Sequence, residues 1–329
     1  MNNGQHQTQP LLEVRDLSIG FADSRGVFLA ADRLNLTLHA HQTLGLVGES
    51  GCGKSVTLRS ILNLVPYPGE VIGGSVQWKG RDLRSFSRRE LAHIRGKAIA
   101  MIFQDPTSCL NPVFTVGNQI TETLRLKLNL TGKAAQERAV ELLAHVGIPS
   151  PEQRLKLYPH QLSGGMRQRI MIALAIAAQP DLLLADEPTT ALDVTIQDQI
   201  LTLLAKLKAE SGMSMILVSH DVGVIAQNCD LIAVMYAGRI VEAGTAQEVI
   251  HHPRHPYTQG LLAAVPKLEA AAQHRRLHAI PGQPPNLASL PPGCPFQPRC
   301  PFVKAECASI EVRLDRLIPD HGSACPIVN

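Results

Sequence analysis

The stretch that most constrains this chain is Gly48-Glu49-Ser50-Gly51-Cys52-Gly53-Lys54-Ser55. Gly48 and Gly53 bracket four residues and are followed by Lys and Ser, the pattern of a phosphate-binding loop. The apolar run Thr43–Val47 before it reads as a strand, and the run opening at Val56 reads as a helix. In that order, glycines let backbone N–H groups converge on phosphate oxygens, and the helix N-terminus adds a favourable partial charge. Lys54 is expected to reach the β- and γ-phosphates, and Ser55 to offer its hydroxyl to Mg²⁺. A glycine-rich turn arising by chance would lack the strand, the helix and the Lys-Ser pair together.

The rest of the chain alternates in the same way. Ile99–Ile102, Leu182–Ala185, Met215–Val218 and Leu231–Met235 read as buried strands. Helical periodicity falls between them at Val56–Leu64, Gln136–Val146, Gly165–Ala178 and Ile196–Ala209. This predicts an α/β domain with a largely parallel central sheet. Leu11–Leu38 differs, with β-rich halves about a turn at Asp23–Gly26, and is expected to form an antiparallel layer. No internal repeat is visible. Near residue 251 the composition shifts, and Lys267–Gly293, rich in Ala, Pro and His, reads as an irregular linker. The expected organisation is a nucleotide-binding domain over 11–250, an extension and linker over 251–293, and a cysteine-rich tail over 294–329.

Composition excludes several classes. With 45% apolar and 18% charged residues in 329, the chain is a globular protein rather than a disordered one. A net charge of +3 with no clustered basic face gives no reason to expect a nucleic-acid partner. The longest apolar run, Ile170–Ala178, ends at Gln179-Pro180-Asp181, far short of the roughly 18 residues a membrane span needs. The polar start MNNGQHQTQP does not resemble a secretory signal. A cytoplasmic location is therefore expected, with any membrane role exercised by docking on another subunit.

A pair of carboxylates supplies the second half of a hydrolytic site. Asp186 and Glu187 end the apolar run from Leu182, and side chains at the carboxyl end of a parallel strand emerge where ligands bind. Asp186 is the natural Mg²⁺ partner, and Glu187 can orient and deprotonate an attacking water. Alone, such a pair would be read as solvating a strand end; behind a complete phosphate loop it reads as catalytic.

The middle of the chain separates the possible nucleotide hydrolases. Leu162-Ser163-Gly164-Gly165-Met166 resembles the signature sequence of ABC ATPases and opens the helical run before the acidic strand. Gln104 in Ile102-Phe-Gln-Asp-Pro resembles the family's Q-loop glutamine, Ala191-Leu192-Asp193 its D-loop, and His220 in Val218-Ser-His-Asp its switch histidine. The family implies a P-loop NTPase fold with a RecA-like core, an antiparallel β layer and a helical subdomain, here extended by a small cysteine-rich C-terminal segment. It implies ATP and Mg²⁺ as ligands and two cassettes facing head to tail. Each ATP then lies between one chain's phosphate loop (Gly48 to Val56) and the partner's signature, Ser163, Gly164 and Gly165, with the D-loop Asp193 also among the nucleotide-binding residues. Ser55, Gln104 and Asp186 would attend Mg²⁺, His220 the γ-phosphate, and an aromatic ring upstream of the loop the adenine. Phe21 fits that place best, with Phe28 the alternative. Met166 stands where the wider family has Gln, a mark of the peptide-importer branch.

Further stretches are similar to the peptide/nickel importer group: Gln104-Asp-Pro with Leu110-Asn111-Pro112, Tyr158-Pro-His-Gln-Leu162, Asp186-Glu-Pro-Thr-Thr-Ala-Leu-Asp193, Met235-Tyr-Ala-Gly238 and His255-Pro-Tyr-Thr258. The resemblance implies ATP-driven import of di- or oligopeptides across a bacterial inner membrane. Its expected partners are a second, paralogous ATPase subunit, two transmembrane permeases and a substrate-binding protein, with this chain on the cytoplasmic face. A nickel or glutathione importer subunit and a non-transport ABC ATPase of repair or translation type are the alternatives. The interval from Ser55 to Leu162 leaves room only for a compact helical subdomain, against the long insertions of repair types, and one cassette per chain argues against translation types.

Cys294, Cys300, Cys307 and Cys325 crowd into the tail with spacing C-x5-C-x6-C-x17-C, and proline follows three of them. In a reducing compartment such a cluster is better read as a metal site than as disulfides. Four thiolates suit Zn²⁺ or an iron–sulfur cluster, and zinc sites usually contain tight C-x₂₋₄-C pairs that are absent here. Some ATPases of this group carry a [4Fe–4S] cluster, which is the expected cofactor; zinc and unligated thiols stay open. The tail has too few large apolar residues for a core of its own, so a structural role is expected.

Overall fold

Alternating burial turns Leu12–Asp23 and Gly26–Leu38 into an antiparallel hairpin, with Leu12, Val14, Leu17 and Ile19 on the buried face opposite Leu34, Leu36 and Leu38. The pairing closes at Asp23 opposite Gly26, the turn expected from the sequence. The computed structural model describes residues 9–24, 26–190, 192–265, 279–314 and 321–327. It divides into two units, Met1–Ser85 with Leu217–Asn329, and Phe86–Ile216.

In the first unit the hairpin is widened by Gly69–Trp78, antiparallel to Leu12–Asp23, and by the short Arg81–Asp82. A second sheet is built on Thr43–Val47, every residue of which is buried. Leu231–Tyr236 runs parallel to it, with Val47 opposite Val234, and Arg239–Thr245 returns antiparallel. The helix Lys54–Ile61 follows the phosphate loop directly. It begins two residues earlier than apolar periodicity suggests, because Lys54 and Ser55 are polar residues set in its first turn.

The C-terminal residues add to this unit rather than forming a separate one. His321–Ser323 pairs antiparallel with Glu242–Gly244. Phe296, 2% exposed, stands against Tyr236 and Tyr257 at ring separations of 5.2 and 5.4 Å. Tyr257 lies in the helix Pro256–Ala263, inside the stretch expected to be extension and linker. The tail thus borrows a core, which agrees with its shortage of apolar residues. Much of the expected linker, residues 266–278, lies outside the described residues.

The second unit holds the parallel pair Ile99–Ile102 and Leu182–Asp186, in register from Ile99 opposite Leu182 to Ile102 opposite Ala185. Helices Val116–Leu128, Gly132–His145, Gly164–Ile176 and Val194–Ser211 bury Ile120, Leu124, Leu143, Ile170, Ile172, Ile200 and Leu204 in its core. The strand Ser214–Ser219 carries the chain from the second unit back into the first. Among the described residues, no helix is long and apolar enough to cross a membrane.

Candidate functional site

The phosphate loop takes its shape from strand pairing. Because Val47 lies opposite Val234, the chain at Gly48 runs against the backbone of Met235. A Cβ on Gly48 would stand 2.2 Å from the Met235 carbonyl oxygen, so no side chain fits there. Gly53 has φ 106° and would place a Cβ 2.2 Å from the Ala30 carbonyl oxygen, so it needs glycine on both counts. Ser50 and Gly51 form the exposed crest, and Ser55 and Val56 lie half-buried in the first helical turn.

Lys54 is 4% exposed, and its Nζ donates to the carbonyl oxygens of Gly48 at 2.7 Å and Glu49 at 3.0 Å. The ammonium therefore spans the loop it serves. Cys52 is buried beneath it; burial pushes the thiol's pKa up, and the Lys54 charge offsets that only in part. The Glu49 backbone N–H donates to Tyr257 Oη at 2.8 Å, and the Glu49 carboxylate accepts two hydrogen bonds from Arg299 at 2.6 and 2.9 Å. These bonds hold the Arg299 proton still more firmly than in free arginine.

Also in the first unit, Phe21 and Phe28 are cross-strand partners near the hairpin end, stacked at 5.8 Å with planes 16° apart. Both are half-buried, so the candidate and its alternative form one aromatic pair. His220 is exposed directly after Ser214–Ser219. Asp221 next to it caps the helix Val222–Asn228 by accepting from Gly223 N–H at 2.7 Å.

In the second unit, the parallel register brings two predicted residues together. Gln104 and Glu187 each lie two positions beyond the last strand pair, and Gln104 Nε2 donates to Glu187 Oε2 at 3.0 Å. Thr190 Oγ1 donates to the same oxygen at 2.8 Å. Glu187 sits at φ 46°, left-handed backbone that is uncommon for a residue with a long side chain. Asp186, one residue earlier, is fully buried, an environment in which a carboxylate needs compensating charge or hydrogen bonds.

Ser163 is the N-cap of Gly164–Ile176 and accepts from Met166 N–H at 3.3 Å, with Gly164 and Gly165 opening the first turn. Asp193 caps Val194–Ser211 in the same way, accepting from Ile196 N–H at 2.9 Å. Both serine and aspartate are strong N-cap residues. Ala191 of the expected D-loop lies outside the described residues.

The four tail cysteines are free thiols and neighbours. Burial raises the Cys294 pKa most, and the charges of Cys307, Cys325 and Cys300 add to it; Cys300 is raised by burial and then by Cys325 and Cys307. Cys294 N–H donates to the Cys307 carbonyl oxygen at 2.8 Å. Among the described residues, however, no three His, Cys, Asp or Glu side chains are arranged to hold a metal ion. Sequence reasoning missed Arg299, Tyr257 and Thr190. Arg299 gave no signal among the cysteines, whereas Tyr257 lay in a stretch read only as a mark of kinship.

Comparisons with known proteins give the family. The ABC transporter family matches residues 31–190, and the oligopeptide/dipeptide transporter C-terminal region matches 241–307. A Brucella abortus (strain 2308) protein named for peptide import and ATP binding is 50% identical over 97% of this chain and 96% of its own. The oligopeptide transport ATP-binding protein OppD of Escherichia coli (strain K12) is 47% identical over 98% of this chain and 94% of its own. Among solved structures, the dimeric ATP-binding cassette MJ0796 bound to ADP and Pi matches with TM-score 0.64 and 27% identity, covering 71% of this chain and 98% of that one. The chain belongs to the ABC transporter family, as an ATP-binding, ATP-hydrolysing subunit of the group that carries the oligopeptide/dipeptide transporter C-terminal region.

Proposed function

We propose that this subunit drives import of peptides, of the dipeptide or oligopeptide class, across a bacterial inner membrane. The observation that carries the reading is the peptide-transporter C-terminal region at 241–307, in a chain that matches peptide-transport ATPases over nearly its whole length. Its partners are two membrane permeases, a substrate-binding protein and a second ATPase subunit, and it sits peripherally on the cytoplasmic face. The cassette spans 11–250, the extension 251–293 and the tail 294–329.

In this reading the loop from Gly48 to Val56 wraps the phosphates of ATP, and Lys54 turns from the loop carbonyls to the β- and γ-phosphates. Mg²⁺, when bound, neutralises charge developing on the phosphate oxygens, and Ser55, Gln104 and buried Asp186 have the oxygen donors it prefers. Glu187, oriented by Gln104 and Thr190, takes the proton of the attacking water. His220 contacts the γ-phosphate and the Phe21–Phe28 pair faces adenine, with Phe21 the stacking ring. Ser163, Gly164 and Gly165 act on the nucleotide held by the partner cassette, as a helix-terminus anion site, and Asp193 of the D-loop belongs to the nucleotide-binding set.

The tail quartet is proposed to hold a [4Fe–4S] cluster. Four thiolates around one zinc ion stand at about 2.3 Å from it; a four-iron cube is bulkier and tolerates ligands farther apart. The wider spacing of the four cysteines along the chain, with no tight C-x₂₋₄-C pair, favours the larger group.

Purifying the complex from membranes and titrating its binding protein tests the function. Di- or oligopeptides are expected to bind and to stimulate ATP hydrolysis. Stimulation by nickel complexes or glutathione alone, with none by peptides, would reject the peptide reading.

A further inference from the structure

Glu49 places a carboxylate in a loop built to receive phosphates, and so brings negative charge where a polyanion is to bind. The molecule meets it with a residue 250 positions away. Arg299 ends the turn Gln297–Arg299, and its N–H donates to the Phe296 carbonyl oxygen at 2.9 Å. Burial of Phe296 among Tyr236 and Tyr257 therefore fixes where Arg299 points. The Arg299 side chain is 5% exposed, and its guanidinium is bonded on several sides: two bonds to Glu49 at 2.6 and 2.9 Å, Nε to the Pro281 carbonyl oxygen at 2.8 Å, and Nη1 to Tyr236 Oη at 3.5 Å.

Glu49 is thereby held at three points. Its N–H is fixed by Tyr257, its carbonyl oxygen by Lys54 and its carboxylate by Arg299. We propose that Arg299 is a positioning residue for the phosphate loop, which holds Glu49 by two points and cancels its charge so that the loop can accept a nucleoside triphosphate. The tail is then a working part of the nucleotide site.

Two physical points favour this over simple anchoring of the tail. Phe296 and the strand His321–Ser323 already tie the tail down by burial and backbone pairing. A buried guanidinium adds little to such an anchor, since desolvation offsets much of its attraction. What a planar fork adds is fixed two-point geometry on a carboxylate. Removing it leaves Glu49, whose side chain is about a quarter exposed, uncompensated beside incoming phosphates, a like-charge contact.

The inference rests on Gly48–Ser55 being the nucleotide loop, and the experiment separates the two. In the full-length chain, Arg299→Ala is expected to weaken Mg-ATP binding about tenfold, the scale of a lost close charge pair. KM for ATP should rise alongside, while kcat of the assembled transporter changes less than about twofold. Binding of adenosine, which has no phosphate, should be unaffected. Adding Glu49→Gln to Arg299→Ala should restore ATP affinity to within about threefold, because the repelling charge is gone. If Arg299→Ala does not fold, Arg299→Gln carries the same expectations. Unchanged ATP affinity in the Arg299 variants, or no recovery with Glu49→Gln, would overturn the proposal and leave the contact as scaffold. Normal ATP binding by Lys54→Ala would instead overturn the assignment of the loop itself.

Discussion

At Glu187 the backbone is held at φ 46°, and the carboxylate takes hydrogen bonds from Gln104 and Thr190 on one oxygen. The residue is held by these bonds rather than merely exposed, on a backbone conformation that costs energy to adopt. Glu187→Gln preserves an amide oxygen for both bonds and removes only the ability to take a proton. Hydrolysis by the assembled complex should fall about 10²- to 10⁴-fold with ATP binding intact. Retention of more than about a tenth of normal turnover would remove Glu187 from the role of base. The components of this arrangement were legible in the sequence one at a time, through the spacing of Asp186-Glu187 behind an apolar run. Their contact was not, because it follows from the register of Ile102 opposite Ala185, which depends on two strands far apart in the chain. Arg299 was illegible for the same reason: its partner lies in the N-terminal part of the chain.

Strands that are apolar throughout were readable to within a residue or so, as at Thr43–Val47 and Leu231–Tyr236. Arg239–Thr245 was not assigned, because Glu242 interrupts its apolar pattern. That carboxylate is fully buried and accepts from the N–H groups of Arg254 and His255 at 2.8 Å and pairs with His321 at 2.6 Å. A charge compensated by distant partners reads locally as a surface residue. The helix Pro256–Ala263 leads to a stability prediction. His255 caps it, with Nδ1 accepting from Tyr257 N–H at 3.1 Å, and burial lowers its pKa from 6.5 to about 4. Between those values the unfolded chain binds a proton that the folded one refuses, so stability is full above about pH 6.5 and falls as pH drops toward 4. The loss is up to about 1.4 kcal/mol per pH unit across that window. His255→Asn keeps a capping acceptor without the titration, and its melting temperature should fall less between pH 7 and pH 5 than that of the parent. Equal acid slopes would exclude His255 as the source. In the tail, anaerobically purified protein is expected to be brown, with about four irons and four sulfides per chain; a colourless preparation with one zinc and no sulfide would reject the cluster.

The activity of the whole molecule depends on which nucleotide each set of residues serves. Ser163 caps Gly164–Ile176, so two glycine N–H groups and a helix N-terminus are presented together. The family places that array against ATP held by a partner cassette, and the MJ0796 cassette, similar to this chain at TM-score 0.64, is dimeric with ADP and Pi bound. Ser163→Arg replaces a small hydroxyl with a long side chain. It should stop hydrolysis at the site completed by this chain's signature, while the phosphate loop of the same chain still binds ATP. Loss of the cap adds a cost of about 1 kcal/mol to the helix, so Ser163→Ala serves as the control that removes the cap without filling the space. Nucleotide binding is measured on the full-length variant chain, and hydrolysis on the assembled transporter. The expected pattern is normal ATP affinity for Ser163→Arg, lost affinity for Lys54→Ala, and turnover that falls much further in Ser163→Arg than in Ser163→Ala. If Ser163→Arg loses ATP binding as completely as Lys54→Ala, signature and phosphate loop act on one nucleotide, and the head-to-tail arrangement is wrong.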